Sequence, residues 1–438
     1  MIERYLNIAR EVIDLSLKQG AEQVSVSLAN ATSFQLEVRN QNIEALKEAG
    51  SSGIHVTLAK NQKRSTLSSN DFRLETLEPL IRSTLEALPL MGEDPFYTLP
   101  DPKLQGKAEI DLQFRDPNFE KMASTEKINE LMLLEKEALS IDSRLQTEEI
   151  SFSDSISYMV HGDSNGFLEG CSKTLCSLGV SMFAEDGGEE TEGSSQSLNT
   201  GRKQSDGWYS SSRFRKDLES REDLARKAGE RTLRKLGSVK PKSCEVPVVF
   251  STEMAQSFLG SLASAMMGDN VFRKHSFLKD SLGETVANPE IRLSDEPLLP
   301  GKLGSRHYDN EGVKATPLML IDQGKLLSFM CSTYSANKLD RQSTGHAGGI
   351  SNLMLKPGNY SDDELIASID NGLYLTGMSG QGVNLTTGDY SRGAQGLWIR
   401  KGKLAEPVSE FTIASTFPEM LKGISMLGSE VDERSTIL

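Results

Sequence analysis

The chain has 438 residues, of which 37% are hydrophobic and 25% charged, a balance that suits a soluble folded protein of two or three domains rather than a disordered one. A formal net charge of −14 argues against a nucleic-acid binder, because neutralising phosphates requires a basic surface. No run approaches the roughly 18 apolar residues that a spanning helix needs, so no membrane partner is expected.

The opening segment, MIERYLNIAREVIDLSLKQG, carries charges throughout. It places Ile2, Leu6, Ala9, Val12, Ile13 and Leu17 near one helical face and stops at Gly20, which reads as an amphipathic helix and not a signal peptide. Strand-like alternation follows at Val24, Val26 and Leu28, at Phe34, Leu36 and Val38, and at Ile54, Val56 and Leu58. A second helix is predicted over Leu74 to Leu88, making residues 1–91 a two-layer domain of helices on antiparallel strands. Residues 92–110 open with GEDPFYTLPDPK, rich in proline and without periodicity, and read as a linker.

The middle region, 111–237, begins with a helix near Ser124 to Leu139. A β-meander is expected over 147–215, then a helix from about Asp217 to Leu236. The acidic run EDGGEETEG at 185–193 lacks the ligand spacing of a calcium loop and is expected at a solvated hairpin tip. The last region, 245–438, starts with a buried-strand candidate, Val246 to Phe250, and an apolar helix, Thr252 to Met267. Hairpins follow, with turn signals at Asp322–Lys325 and Lys401–Lys403. The predicted class is α+β, with a large, mostly antiparallel β C-terminal domain.

Chemistry-bearing residues are sparse. The four cysteines (Cys171, Cys176, Cys244, Cys331) form no CxxC pair, so reduced thiols and a cytoplasmic setting are the simplest expectation. No histidine has another within helical ligand spacing. His346 lies in a glycine loop beside Gly345, Gly348 and Gly349, where it could face a substrate channel or interface, or satisfy backbone groups inside the loop. His307 and Asp309 could pair as base and orienter or form half of a metal site, although Asp309, Glu311 and Gly312 also suit a plain turn. In GDYSRG, Arg392 could hold a carboxylate such as a peptide C-terminus, or pair with Asp389 to close a β-turn. There is no GxSxG elbow, P-loop or GxGxxG fingerprint.

Four phrases in order, VFRKHSFLKDSLG (271–283), YDNEGVKATP (308–317), TYSANKLDRQSTGHAGG (333–349) and GDYSRGAQGLWIRKGKLAEPVSEFTIA (388–414), resemble the PmbA/TldE family, whose members were also called modulators of DNA gyrase. The resemblance implies the same α+β architecture and a dimer. It implies a partner, too: a TldD-like subunit whose HExxxH helix and downstream cysteine bind zinc, the pair enclosing a site that degrades unfolded peptides in the bacterial cytoplasm. In this chain the corresponding helix reads GSLASA, with Gly260, Ser261 and Ala265 where ligands would stand. The expectation is therefore no cofactor here and zinc on the partner. A self-pairing, non-hydrolytic peptide-binding protein is the alternative. By the same resemblance, His346, Gly348, Gly349, Asp389 and Arg392 are the candidates for a substrate channel or subunit interface, and the chain as given stops before a last strand that such proteins usually have.

Overall fold

The computed structural model describes residues 1–186 and 201–438, so most of the acidic run at 185–193 lies outside the described residues. Helix α1 (Ile2–Lys18) is followed by the strands β1 (Gln23–Arg39), β2 (Asn42–Lys60) and β3 (Lys63–Ser69), then α2 (Leu74–Ala87). Next come α3 (Ser124–Ser140), β4 (Gln146–Asp163), β5 (Leu168–Glu185), β6 (Lys203–Ser212) and α4 (Arg221–Leu233). All six strands join one sheet in the order β3-β2-β1-β4-β5-β6, its adjacent strands antiparallel.

The two apolar runs expected near residues 24–38 turn out to be one strand. Val24, Val26, Leu28, Phe34, Leu36 and Val38 share a parity and are all buried, because alternate residues of a strand face the same side. The polar stretch from Asn30 to Thr32 marks a seam. On one side of it, α1 and α2 cover Val24, Val26 and Leu28; on the other, α3 and α4 cover Phe34, Leu36 and Val38. Glu135 of α3 is fully buried at the β1–β2 turn. Its carboxylate accepts from the backbone N–H of Asn40 (2.7 Å) and Gln41 (2.6 Å), both at positive φ. A buried Lys127–Asp154 pair (2.5 Å), with the ammonium 4.1 Å from the Phe34 ring, ties α3 to the sheet. Helix α4 begins four residues later than the sequence pattern predicts, because Ser220 caps it by accepting from Asp223 N–H.

Residues 92–110 contain no helix or strand and run along the C-terminal region, where Gln105 bridges to Val313. That region contains β7 (Val248–Phe250), α5 (Thr252–Met266), α6 (Gly268–Phe272), β8 (Leu293–Asp295), β9 (Leu318–Asp322) and β10 (Lys325–Leu326). It continues with α7 (Thr333–Lys338), β11 (Leu353–Leu355), α8 (Asp362–Ala367), β12 (Asn371–Ser379), β13 (Asp389–Arg400), β14 (Lys403–Thr416) and α9 (Phe417–Gly423). Two four-stranded sheets result, β10-β9-β8-β11 and β14-β13-β12-β7, antiparallel except for the β7–β12 pair. Both expected hairpin turns form, with Gln323 and Gly324 and then Lys401 and Gly402 at positive φ. Their core is built around Phe258 of α5, which stacks on Phe417 (4.7 Å) and meets Phe250 and Tyr390 edge-on (6.0 Å each).

The six-stranded sheet docks onto this region through the β4–β5 turn. Phe167 packs edge-on against Tyr308 (5.0 Å), and Arg213 donates to the carbonyls of Lys302 (3.0 Å) and Leu303 (2.6 Å). No helix among the described residues is long and apolar enough to cross a membrane.

Candidate functional site

Helix α5 forms over Thr252–Met266 because an apolar stripe, Phe258, Leu259, Leu262, Ala263 and Met266, is buried in the core, which outweighs the weak propensity of Gly260 and the serines. Its other face carries Ser257, Gly260, Ser261 and Ser264, all half-buried, while Ala265 is fully buried. The serines engage within the protein: Ser261 donates to Ser257 C=O (3.2 Å) and Ser264 to Gly260 C=O (2.9 Å). Gly260 admits a close neighbour, since a Cβ there would lie 3.2 Å from Ile437. The tail across it is fastened by Gln256, whose amide donates to the carbonyls of Asp432 (2.9 Å) and Ile437 (2.6 Å).

Arg392 reaches α5 from β13. Its Nη1 donates to Ser257 Oγ at 2.8 Å, and its Nε is buried without a partner among the described residues. The turn-closing pair with Asp389 does not form. Both residues stand on β13, and three positions apart along a strand places them on opposite faces. The exposed Asp389 instead accepts from Thr387 Oγ1 at 2.5 Å. Gly382 lets the preceding loop lie directly on this strand, because a Cβ would collide with the Ser391 carbonyl.

The glycine loop 343–349 hangs from Cys331, whose carbonyl accepts from Thr344 N–H (3.0 Å), and the neighbouring Met330 joins the C-terminal end of α5 through Gly268 N–H (2.7 Å). His346 itself is 2% exposed. Its Nε2 lies 3.0 Å from Asp295 Oδ2, and Nδ1 lies 2.8 Å from Thr344 C=O. The imidazole is thus turned inward and both its nitrogens are engaged, so Gly348, which is exposed, is what the loop offers outward. Gly348 has φ +94°, and a Cβ there would strike the Asn310 side chain.

Asp295 is a residue that no sequence signal pointed to, sitting in an unremarkable RLSDEP. It is fully buried and also accepts from Ser351 N–H (2.8 Å) and Ser351 Oγ. Burial pushes its carboxyl up, but the hydrogen bonds and charge of His346 and those of Ser351 outweigh this and hold it below the ordinary value. Serine, histidine and aspartate meet here, yet both Ser351 and His346 address the aspartate. No serine is activated by the imidazole, and none of the three reaches solvent.

His307 and Asp309 do not pair either. Asp309 accepts from the backbone N–H of Glu311 (2.9 Å), Val313 (3.0 Å) and Ala347 (2.9 Å), stapling the YDNEG turn to the glycine loop. The ring of His307 packs edge-on against Phe114 at 5.2 Å. Arg306 supports the same loop by donating to the Gly345 (3.2 Å) and Gly349 (2.7 Å) carbonyls.

Zinc requires imidazole, thiolate or carboxylate donors converging on one point. The α5 face offers a glycine, an alanine and serines already bonded within the fold, and among the described residues no three His, Cys, Asp or Glu side chains are grouped to hold a metal. The residues present do not fit a zinc ion.

Two family models match the chain, described as the PmbA/TldA metallopeptidase central domain over residues 117–236 and C-terminal domain over 243–438. The chain is 32% identical to a metalloprotease PmbA homolog of Buchnera aphidicola subsp. Acyrthosiphon pisum over 99% of this chain and 94% of that one. It is 29% identical to metalloprotease PmbA of Escherichia coli O157:H7, covering 100% and 94% of the two chains. Among solved structures, a modulator of DNA gyrase from Bacteroides thetaiotaomicron superposes with a TM-score of 0.89 at 28% identity, over 98% of this chain and 95% of the other. TldE from Thermococcus kodakarensis shares the fold, with a TM-score of 0.83 at 20% identity over 97% and 94%.

Proposed function

This chain belongs to the PmbA/TldE family of metalloprotease-named proteins, and on that footing we propose that it is a non-catalytic subunit of a TldD/TldE-type zinc protease. The observation that carries the proposal is the face of α5 where Gly260, Ser261 and Ala265 stand in place of metal ligands and Arg392 is bonded to Ser257. In this reading zinc and the nucleophilic water belong to a TldD-like partner that bears HExxxH, and the pair degrades unfolded peptides in the cytoplasm. Metal-bound water supplies the nucleophile at neutral pH, a task for which the small residues of the α5 face have no donors. Its own residues would shape the channel. Gly348 offers exposed backbone that an extended peptide can pair with, Gly349 being held by His346 and Arg306, and Arg392 stands ready to orient a carboxylate.

The test is hydrolysis of an unfolded peptide, with metal analysis, by this chain alone and mixed with a TldD-like subunit. Zinc and activity confined to the mixture support the proposal. Activity from this chain alone defeats it, and a stable homodimer that ignores the TldD-like subunit favours a self-pairing peptide-binding protein.

A further inference from the structure

A cavity lies between the six-stranded sheet and the C-terminal region, with a volume of about 830 Å³. It is bounded by Trp208 on β6, Arg231 and Arg234 at the end of α4, and Ser251 and Glu253 at the start of α5, with Tyr374 of β12. Most cations around it are already neutralised. Arg231 is held by Asp206 (3.2 Å) and Glu253 (2.8 Å), Arg434 by Asp432 (2.6 Å), Lys227 by Glu219 (2.6 Å) and Lys302 by Glu433 (2.5 Å).

Arg234 differs. Its Nε is buried and has no partner among the described residues, and burial, followed by the nearby Arg231 charge, pushes its basicity down. Arg234 as a whole is half-buried, and a buried guanidinium N–H left without an acceptor is costly to keep in a fold that has no use for it. A second orphan faces the same cavity. Ser251, only 7% exposed, occupies the N-cap of the 15-residue α5, but its hydroxyl caps nothing and has no partner among the described residues. The first turn of α5 also presents N–H groups and the positive end of the helix dipole to this space.

We infer that this cavity binds a carboxylate, with Arg234 as the charged fork and Ser251 and the α5 N-terminus as supporting donors, and that the occupant is the C-terminal end of a peptide. The lining decides for a carboxylate over a phosphate. Its six cationic residues are outnumbered by eight acidic ones, which repels a dianion but tolerates a single charge once it meets Arg234. Phe214, Leu303 and Tyr374 give apolar wall for the residue bearing the carboxylate, the Trp208 ring being covered by Arg434 at 3.5 Å, and the volume falls within the range of small-ligand sites. The inference rests on the peptide-binding reading above for the class of ligand, but it needs neither a partner subunit nor a metal.

The experiment uses the intact chain alone. N-acetyl-Ala-Ala-Phe is titrated as free acid and as C-terminal amide by calorimetry, with Trp208 fluorescence as a second readout and inorganic phosphate as a competitor. The free acid should bind about tenfold or more tighter than the amide, the scale of one charge-assisted hydrogen-bond pair. Arg234→Gln should abolish that preference, Arg234→Lys should keep part of it, and Arg82→Gln, at an exposed position of α2 outside the cavity, should leave it unchanged. Equal binding of acid and amide by the unaltered chain overturns the inference without recourse to any variant. So does a preference that survives Arg234→Gln or vanishes in Arg82→Gln, and so does phosphate displacing the acid at equal concentration. Failure of hydrolysis in the two-subunit mixture, with the acid preference intact, would sink the partner-subunit reading and leave this site standing.

Discussion

Acidification should weaken the fold through one buried imidazole. His161 sits on β4 at the junction of sheet and C-terminal region, 6% exposed, 3.0 Å from Ser27 Oγ and 5.8 Å from the Phe167 ring. Burial drives its pKa from 6.5 to about 4, against a smaller opposing pull from the Glu311 backbone. Between those values the unfolded chain takes up a proton that the fold refuses, so stability falls as pH falls through that window. The loss from this one ring is about 2 kcal/mol at pH 5 and about 3 kcal/mol at pH 4, relative to pH 7. Neighbouring Asp163, Asp309 and Glu311 work the other way. Burial raises each carboxyl, so each binds its proton more readily in the fold and offsets part of the loss. A difference measurement isolates the ring. Urea unfolding at pH 7 and pH 5 is compared between the unaltered chain and His161→Gln, which keeps a hydrogen-bonding partner for Ser27 but does not titrate. The variant should lose about 2 kcal/mol less than the unaltered chain over that interval. Equal losses in both would show that the imidazole charges inside the fold at no cost, and the burial argument would be wrong.

Asp295→Ala leaves His346 and Ser351 facing one another without their shared acceptor and should cost about 3–5 kcal/mol in urea unfolding, while a loss below about 1 kcal/mol would mean the cluster is dispensable. Phe258→Ala empties the centre of the aromatic cluster with Phe417, Phe250 and Tyr390. A destabilisation of about 3–5 kcal/mol is expected, and a thermal midpoint unchanged from the parent would contradict the packing described. Arg392→Gln should leave the fold intact but reduce peptide hydrolysis by a TldD-like mixture about tenfold, mainly through KM. Unaltered kinetics would remove Arg392 from the peptide path.

Much of the scaffold was legible because local rules governed it. The helical face of residues 2–18 and the strand parity of Val24 through Val38 needed only the periods of helix and strand. The two hairpin turns needed only residues that accept positive φ. The lack of ligand side chains at the small positions of α5 was equally a matter of composition, since no packing can turn Gly260, Ser261 or Ala265 into a ligand. Even so, alternation could not show that the two apolar runs of β1 belong to one strand covered by two helix pairs, because that depends on what lies above the sheet.

Sites built from residues far apart in the chain were beyond such rules. His346 is joined to Asp295 across 51 positions, and only the arrangement of β8 against the glycine loop decides that its ring points inward. Whether Arg392 met Asp389 or something distant was open in the sequence; strand geometry sent it to Ser257, 135 positions away. Arg234 and Ser251 carried no motif at all, and they matter only because α4 and α5 end at the same cavity. The sequence by itself determined the elements and the lack of ligand side chains at Gly260, Ser261 and Ala265, since both follow from side-chain identity and short-range period. Which polar groups found partners, and which were left waiting for one, was decided by tertiary structure, because hydrogen bonding and burial depend on neighbours that the chain order does not reveal.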